Sequence, residues 1–152
     1  VRHYLGRLCL AGCLSLCAVA CSDPPGTAPA ATPYRASLGT ADFMNWVLDP
    51  AADVIWGSAG TITTLDGEED LAPTTEAEWD AVRNAAALIA ESGNLLMLPG
   101  RAVDDGDWME LSQGLITVGE RAIAAAEARD DEQLFDVGGQ IYNVCLACHQ
   151  RY

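Results

Sequence analysis

The sequence contains no lysine. All eight of its basic residues are arginine, set against 22 acidic ones, for a formal charge of −14. So acidic a chain cannot neutralise a run of phosphates, which excludes a nucleic-acid partner and favours a basic one met by long-range steering. Histidine is almost as scarce, with only His3 and His149 in 152 residues. That leaves little for imidazole-based acid–base catalysis. No Ser/His/Asp set, phosphate-binding loop or second metal-ligand cluster is present. Aromatics make up only 7% of the chain and alternating β-type stretches are scarce, while half of the residues are apolar and alanine is abundant. That balance predicts one helical domain with a sizeable core.

The first part of the chain is of a different kind. Arg2 and Arg7 precede an apolar run from Leu8 to Ala20, which ends in the small residues Ala18-Val19-Ala20 before Cys21. A basic start, a short apolar centre and small residues at the end predict a secretory signal over residues 1–20. Thirteen residues are too few to span a bilayer as a helix. Ala18-Val19-Ala20-Cys21 also resembles a bacterial lipobox, which makes Cys21 a lipidated first residue, with plain cleavage near Ala20 as the competing reading. Residues 21–37, with Ser22–Ser37 rich in Pro, Ala and Thr, then predict a disordered tether. Fully extended, it reaches about 50 Å at roughly 3.3 Å per residue. Removing the leader takes away Cys9, Cys13, Cys17, His3 and two arginines, leaving six Arg against 22 acids, a charge of −16. Cys145 and Cys148 then remain as the domain's thiols and His149 as its one imidazole.

Those three residues form Cys145-Leu146-Ala147-Cys148-His149, the attachment signature of a c-type haem. Two thiols have to reach two vinyl groups of one porphyrin, and the next imidazole has to reach its iron. On a helix the three stand at i, i+3 and i+4, on one face. A redox dithiol is the competing use of Cys-x-x-Cys, but such pairs lie at helix N-termini, where the dipole favours thiolate. This pair is expected near a helix C-terminus. A zinc site would need a further Cys or His.

Residues 38–152 are expected to hold four helices. The first runs from about Thr40 to Trp56, with Phe43, Met44, Val47, Leu48, Val54 and Ile55 at helical spacing. Pro50 interrupts it, either starting a new segment capped by Asp49 or kinking one helix. Residues 57–73 read as a loop with Gly60, Asp66-Gly67 and Pro73 as breakers. The second helix opens on a capping box, Thr75 to Glu78, buries Trp79, Val82, Ala86, Ile89 and Ala90, and closes at Ser92-Gly93-Asn94 with Gly93 as a left-handed cap. The apolar connector Leu95–Leu98 is expected to pack inward. The third helix runs from about Asp107 to Ala128. The fourth, after a turn at Arg129–Asp131, carries Leu134, Val137, Gly138, Ile141, Val144, Cys145 and Cys148 on one side. Gly138-Gly139 in its middle marks a close approach by another helix or the porphyrin. Four helices with short connections predict an all-α antiparallel four-helix bundle with haem held by the last helix.

A haem motif at the end of a fourth helix resembles the class II cytochromes c, cytochrome c′ and its low-spin methionine-ligated relatives. Tyr152, three residues after His149, matches an aromatic common there. The resemblance covers about residues 40–152; the acidic stretch near Asp66–Asp70 and the Asp49-Pro50 break depart from it. It implies one covalent haem c, His149 as proximal iron ligand and a distal residue on the first helix. A distal methionine gives a six-coordinate low-spin electron carrier; a non-bonding apolar residue gives a five-coordinate protein that binds nitric oxide or carbon monoxide. Homodimers through the first two helices are common in the family. Of Met44, Met97 and Met109, Met44 lies where the family places its distal residue, with core filler as its ordinary alternative; Met97 ranks next. Arg35 or Arg101 is placed either on a propionate or in solvent, and the four tryptophans in the core. The expected function is a periplasmic, lipid-tethered, non-enzymatic electron carrier with a basic redox partner.

Overall fold

The computed structural model describes residues 34–152. The signal segment, Cys21 and most of the tether lie outside the described residues.

The first helix is continuous through its proline. It is α-helical as α1 (Thr40–Phe43), forms a π turn over Met44–Leu48, and resumes as α2 (Asp49–Trp56). Asp49 is itself helical, at φ −61° and ψ −49°, and its N–H donates to the Met44 carbonyl five residues back. It therefore cannot cap a new segment, because a capping residue has non-helical dihedrals. Pro50 supplies no N–H for the Trp46 carbonyl, and its ring would press on it in an ordinary turn. The wider π turn accommodates both effects without breaking the helix. Phe43, Leu48, Ala51, Ala52 and Ile55 are buried along this segment; Met44 and Val47 are half-buried.

The stretch read as a loop contains a hairpin. Strands β1 (Thr61–Thr64) and β2 (Gly67–Asp70) pair antiparallel, with Thr61 opposite Asp70 and Thr64 opposite Gly67. The turn is Leu65-Asp66, where the Thr64 hydroxyl donates to the Gly67 carbonyl at 3.1 Å and accepts from the Asp66 N–H at 3.2 Å. Gly67 takes φ +134°, open to residues without a β-carbon. β-Branched Thr61-Ile62-Thr63-Thr64 before Asp66-Gly67 is the local signal.

Helix α3 (Glu76–Leu96) opens on the expected capping box. The Glu78 N–H donates to Thr75 Oγ1 at 3.3 Å, and Glu78 Oε2 accepts from the Thr75 N–H at 2.8 Å and the Thr74 N–H at 2.7 Å. The Thr74 and Thr75 N–H groups, with their hydroxyls, hold the Glu78 carboxyl below its ordinary range. Thr75→Ala is expected to cost about 1 kcal/mol, read as a lower denaturant midpoint. The Glu78 share has a depressed folded pKa, so it is complete above the ordinary glutamate range and fades as pH falls through the lowered value.

Gly93 is not the end of α3. A β-carbon there would lie 2.5 Å from the Ser112 carbonyl oxygen and 2.5 Å from Ile116 Cγ1. The glycine is present because α4 (Asp107–Ala128) runs against it. Gly119 repeats the device from the other side, with the Ala90 backbone nitrogen 2.6 Å from where a β-carbon would stand. The expected connector is partly helix: Leu95, exposed, and Leu96, buried, are the last residues of α3, and Met97 and Leu98 beyond them are half-buried. Arg129, with φ 53°, makes the left-handed turn after α4. Asp130 then caps α5 (Asp131–Arg151) by accepting from the Gln133 N–H at 2.9 Å.

The molecule is thus mostly helical, with one small sheet among the described residues. Helix α3 packs on α4, α4 on α5, and α2 on both α3 and α5. Between them lie Ile55, Val82, Ile89, Ala122, Ala125, Leu134 and Ile141, each essentially free of solvent. No described helix is long and apolar enough to cross a membrane.

Candidate functional site

Helix α5 sets the three motif residues in its last two turns. Their side chains meet the first helix across two adjoining cavities. One is lined by Met44, Leu48, Leu96, Leu115, Val144, Cys145, Cys148 and His149, with Leu111 and Ser112 completing it. The other, about 310 Å³, is lined by Met44, Asn45, Leu48, Asp49, Ala52, Trp56, Tyr142, Cys145, Leu146 and His149. Met44, Leu48, Cys145 and His149 belong to both. A thioether from the first helix, a thiol and an imidazole from the last, and an apolar wall therefore share one space. The π turn begins at Met44, and single π turns inside α-helices gather at functional sites.

Cys145 and Cys148 are both unbridged and half-buried, and His149 is exposed at its end of the cavity. Burial pushes the Cys145 thiol above its ordinary value, with repulsion from Cys148 and Asp49 adding to the effect; burial alone raises Cys148. A redox dithiol needs the opposite, a thiol whose pKa is lowered by a helix N-terminus or nearby cations. Among the described residues no three His, Cys, Asp or Glu side chains gather closely enough to enclose a metal ion. To a ligand, these cavities offer two thiols, one imidazole and one thioether beside an apolar wall.

Met97 ends α3 half-buried, and Met109 is half-buried in α4; neither lines these cavities. Arg101 is neither a free cation nor a solvated one. It is buried, donates to the Leu95 carbonyl at 3.2 Å and the Leu38 carbonyl at 3.1 Å, and stacks 4.4 Å above the Phe43 ring. It clamps the start of the first helix to the end of α3. Arg35 is exposed. Of the tryptophans, Trp79 and Trp108 are buried and Trp56 is half-buried, but Trp46 is 65% exposed, on the side of the first helix opposite its buried residues.

The close approach at Gly138 comes from α2. The Trp56 Nε1–H donates to the Gly138 carbonyl at 3.0 Å, and a β-carbon on Gly138 would meet Trp56 Cδ1 at 3.4 Å. Gly139 faces open space. Sequence inspection missed Tyr142, which lines the second cavity and meets Trp56 edge-to-face at 6.4 Å. Its spacing was the available signal, since 142, 145 and 149 fall on one helical face.

The end of α5 is latched to the start of α4. The Tyr152 hydroxyl donates to Asp104 Oδ2, its ring meets Trp108 edge-to-face at 5.1 Å, and Arg151 Nε pairs with Asp107 at 3.1 Å. Asp104 also accepts from the Gly106 and Trp108 N–H groups. The Tyr152 hydroxyl and the Gly106 N–H lower the Asp104 pKa, while burial and Asp104 raise that of Tyr152. A depressed acid fails as pH falls through its folded value; a raised phenol fails as pH rises through its own. Tyr152→Phe is therefore expected to lower the melting temperature slightly at neutral pH. That difference should vanish at both acid and alkaline extremes, as followed by circular dichroism.

Comparison of the chain with protein-family models, curated proteins and solved structures finds no match. What the site can do therefore rests on its own chemistry.

Proposed function

We propose that this protein is a mono-haem c-type cytochrome that carries single electrons, of the class II type. In this proposal the helical domain is an antiparallel four-helix bundle and α5 holds the haem. Cys145 and Cys148 would hold the group covalently through two thioether links. His149 is the proximal iron ligand and Met44 the distal one. The observation that carries the proposal is that Met44 lines the same two cavities as Cys145 and His149.

When bound, haem c supplies a one-electron ferric/ferrous couple. The chain's residues set how that couple behaves. A Met thioether opposite an imidazole favours the reduced state and so raises the potential. Leu48, Leu96, Leu111, Leu115 and Val144 line the cavity and would shield a bound group from water, which would raise the potential further. With His149 and Met44 both spent on the iron, no imidazole among the described residues would remain as a general base, so the site would pass electrons without transforming a substrate. Export by residues 1–20 and lipid at Cys21 would place the domain in the bacterial periplasm on a membrane tether. There, its acidity suits a basic redox partner and excludes nucleic acid. The family's homodimer, formed through the first two helices, extends to this chain by resemblance.

An optical spectrum with and without carbon monoxide tests the ligation. Low-spin bands in both oxidation states, unchanged by carbon monoxide, are expected. A high-spin ferrous spectrum that shifts on adding the gas would make the protein a five-coordinate gas binder instead.

A further inference from the structure

A second groove lies beside the haem-side cavity and shares its wall. It encloses about 390 Å³ between α2 and α5 and is lined by Ile55, Trp56, Ala59, Phe135, Asp136, Gly138, Gly139 and Tyr142. Trp56 and Tyr142 belong to both spaces. Three of its lining residues are aromatic, in a chain where aromatics are rare, and two of them are well exposed: Phe135 at 60% and Tyr142 at 54%. Trp56 is fixed in place, because its indole N–H is held by the Gly138 carbonyl. Its polar group is thereby satisfied, and its half-buried ring lines the groove. Gly139 contributes no side chain and has nothing within 4 Å of a β-carbon position, so the floor between the rings is bare backbone. The one charged side chain on the lining is the carboxylate of Asp136.

Aromatic faces beside a carboxylate select a cation. The ring quadrupoles attract a planar guanidinium, which stacks on aromatic faces, and a carboxylate can pair with it through two hydrogen bonds. An anion would be repelled by Asp136 and by the net negative charge of the protein. Because the groove shares Trp56 and Tyr142 with the cavity that holds His149, anything seated there lies against the haem side of the molecule.

We propose that the groove between Trp56, Phe135, Tyr142 and Asp136 receives an arginine side chain of a basic redox partner and seats that partner against the haem-side cavity. This rests on the electron-carrier proposal and adds the place and chemistry of docking. Long-range attraction brings the basic partner to the acidic domain; the aromatic groove fixes where it stops. One electron then passes between the seated proteins. One is oxidised as the other is reduced, and no bond forms or breaks.

The test uses the haem-loaded domain labelled with 15N and reads the Trp56 indole N–H signal, assigned with Trp56→Phe. The probes are N-acetyl-arginine amide, N-acetyl-glutamate amide as the opposite-charge control, and a basic mono-haem cytochrome. The arginine derivative and the cytochrome are expected to shift the Trp56 signal, and the glutamate derivative is not. Tyr142→Ser should weaken binding of the cytochrome roughly two- to fivefold, the range of an exposed cation–aromatic contact. Gly139→Leu, which fills the groove with a good helix former, should weaken it at least as much. Glu127→Gln, a charge loss on an exposed residue of α4 outside the groove lining, sets the baseline for long-range effects. A Trp56 signal unmoved by arginine, or affinities equal for the groove variants and Glu127→Gln, would overturn the docking site. Visible absorbance of the same samples reports haem separately. Loss of haem would thus be recognised as failure of the electron-carrier proposal rather than of the groove.

Discussion

Replacing Met44 with alanine is expected to convert a low-spin, carbon-monoxide-insensitive spectrum into a high-spin one that binds the gas in full. Met44 is the methionine that shares both cavities with Cys145 and His149. Met97 and Met109 line neither, and His149 is the one imidazole among the described residues. No other soft or nitrogen donor stands ready to take the vacated place. The reduction potential should fall as well, because axial ligand identity is a principal determinant of that quantity. The fold should survive. Met44 is half-buried, and losing its apolar contacts costs about 1–2 kcal/mol, part of the value for a fully buried side chain. Spectra in both oxidation states, with and without carbon monoxide, separate the outcomes. A variant that stays low-spin would remove Met44 from the iron and bring Met97 forward.

The largest effect on stability is expected at Gly119. A β-carbon there would stand 2.6 Å from the Ala90 nitrogen, 2.7 Å from its Cα and 2.8 Å from its Cβ. These are main-chain and first side-chain atoms, which cannot turn aside as the tip of a long side chain can. Gly119→Ala must therefore push α3 and α4 apart along their shared seam. Overpacking of this kind costs about 1–3 kcal/mol. The melting temperature should drop by roughly 4 °C or more for each kcal/mol in a domain of this size. Gly139→Ala supplies the contrast of sign. With nothing near its β-carbon position, alanine adds helix propensity and should stabilise by about 0.5–1 kcal/mol. Thermal unfolding followed at 222 nm reads both. Equal melting temperatures for Gly119→Ala and the parent would contradict the close helix contact.

The elements whose signals are local were legible in the sequence. Thr75 and Glu78 form a capping box within four residues, and α3 starts there. The expected span of α4 and the turn at Arg129–Asp131 before α5 also match, the structure adding that Asp130 caps α5. The failures came where distant packing decides. Gly93 looks like a helix end, yet α3 continues because Ser112 and Ile116 press against that glycine from α4. Asp49-Pro50 left a fresh start and one interrupted helix both open, and the structure has one helix, with a π turn taking up the misfit. The hairpin at Thr61–Asp70 was hidden because both its strands are exposed throughout, so no apolar alternation marks it. Arg101 reads as a surface charge and is buried by carbonyls 6 and 63 residues away in sequence.

The site divides in the same way. Cys145, Cys148 and His149 are a local pattern and could be read directly. Met44 needed the helical stripe together with a family resemblance. The walls, Leu96 from the end of α3, Leu111 and Leu115 from α4, and Tyr142 from α5, come together only through the packing of four helical segments. Trp56 joins that set through its bond to Gly138, a contact between residues 82 apart in the chain.

The central claim is covalent haem on α5, and a denaturing gel stained for haem tests it most directly. The protein is produced in a bacterial strain able to attach c-type haem. The stain should follow the polypeptide band through denaturation. It should disappear from that band when Cys145 and Cys148 are both changed to serine. A parent band that carries no haem under those conditions, while a control c-type cytochrome from the same strain is stained, would contradict the claim.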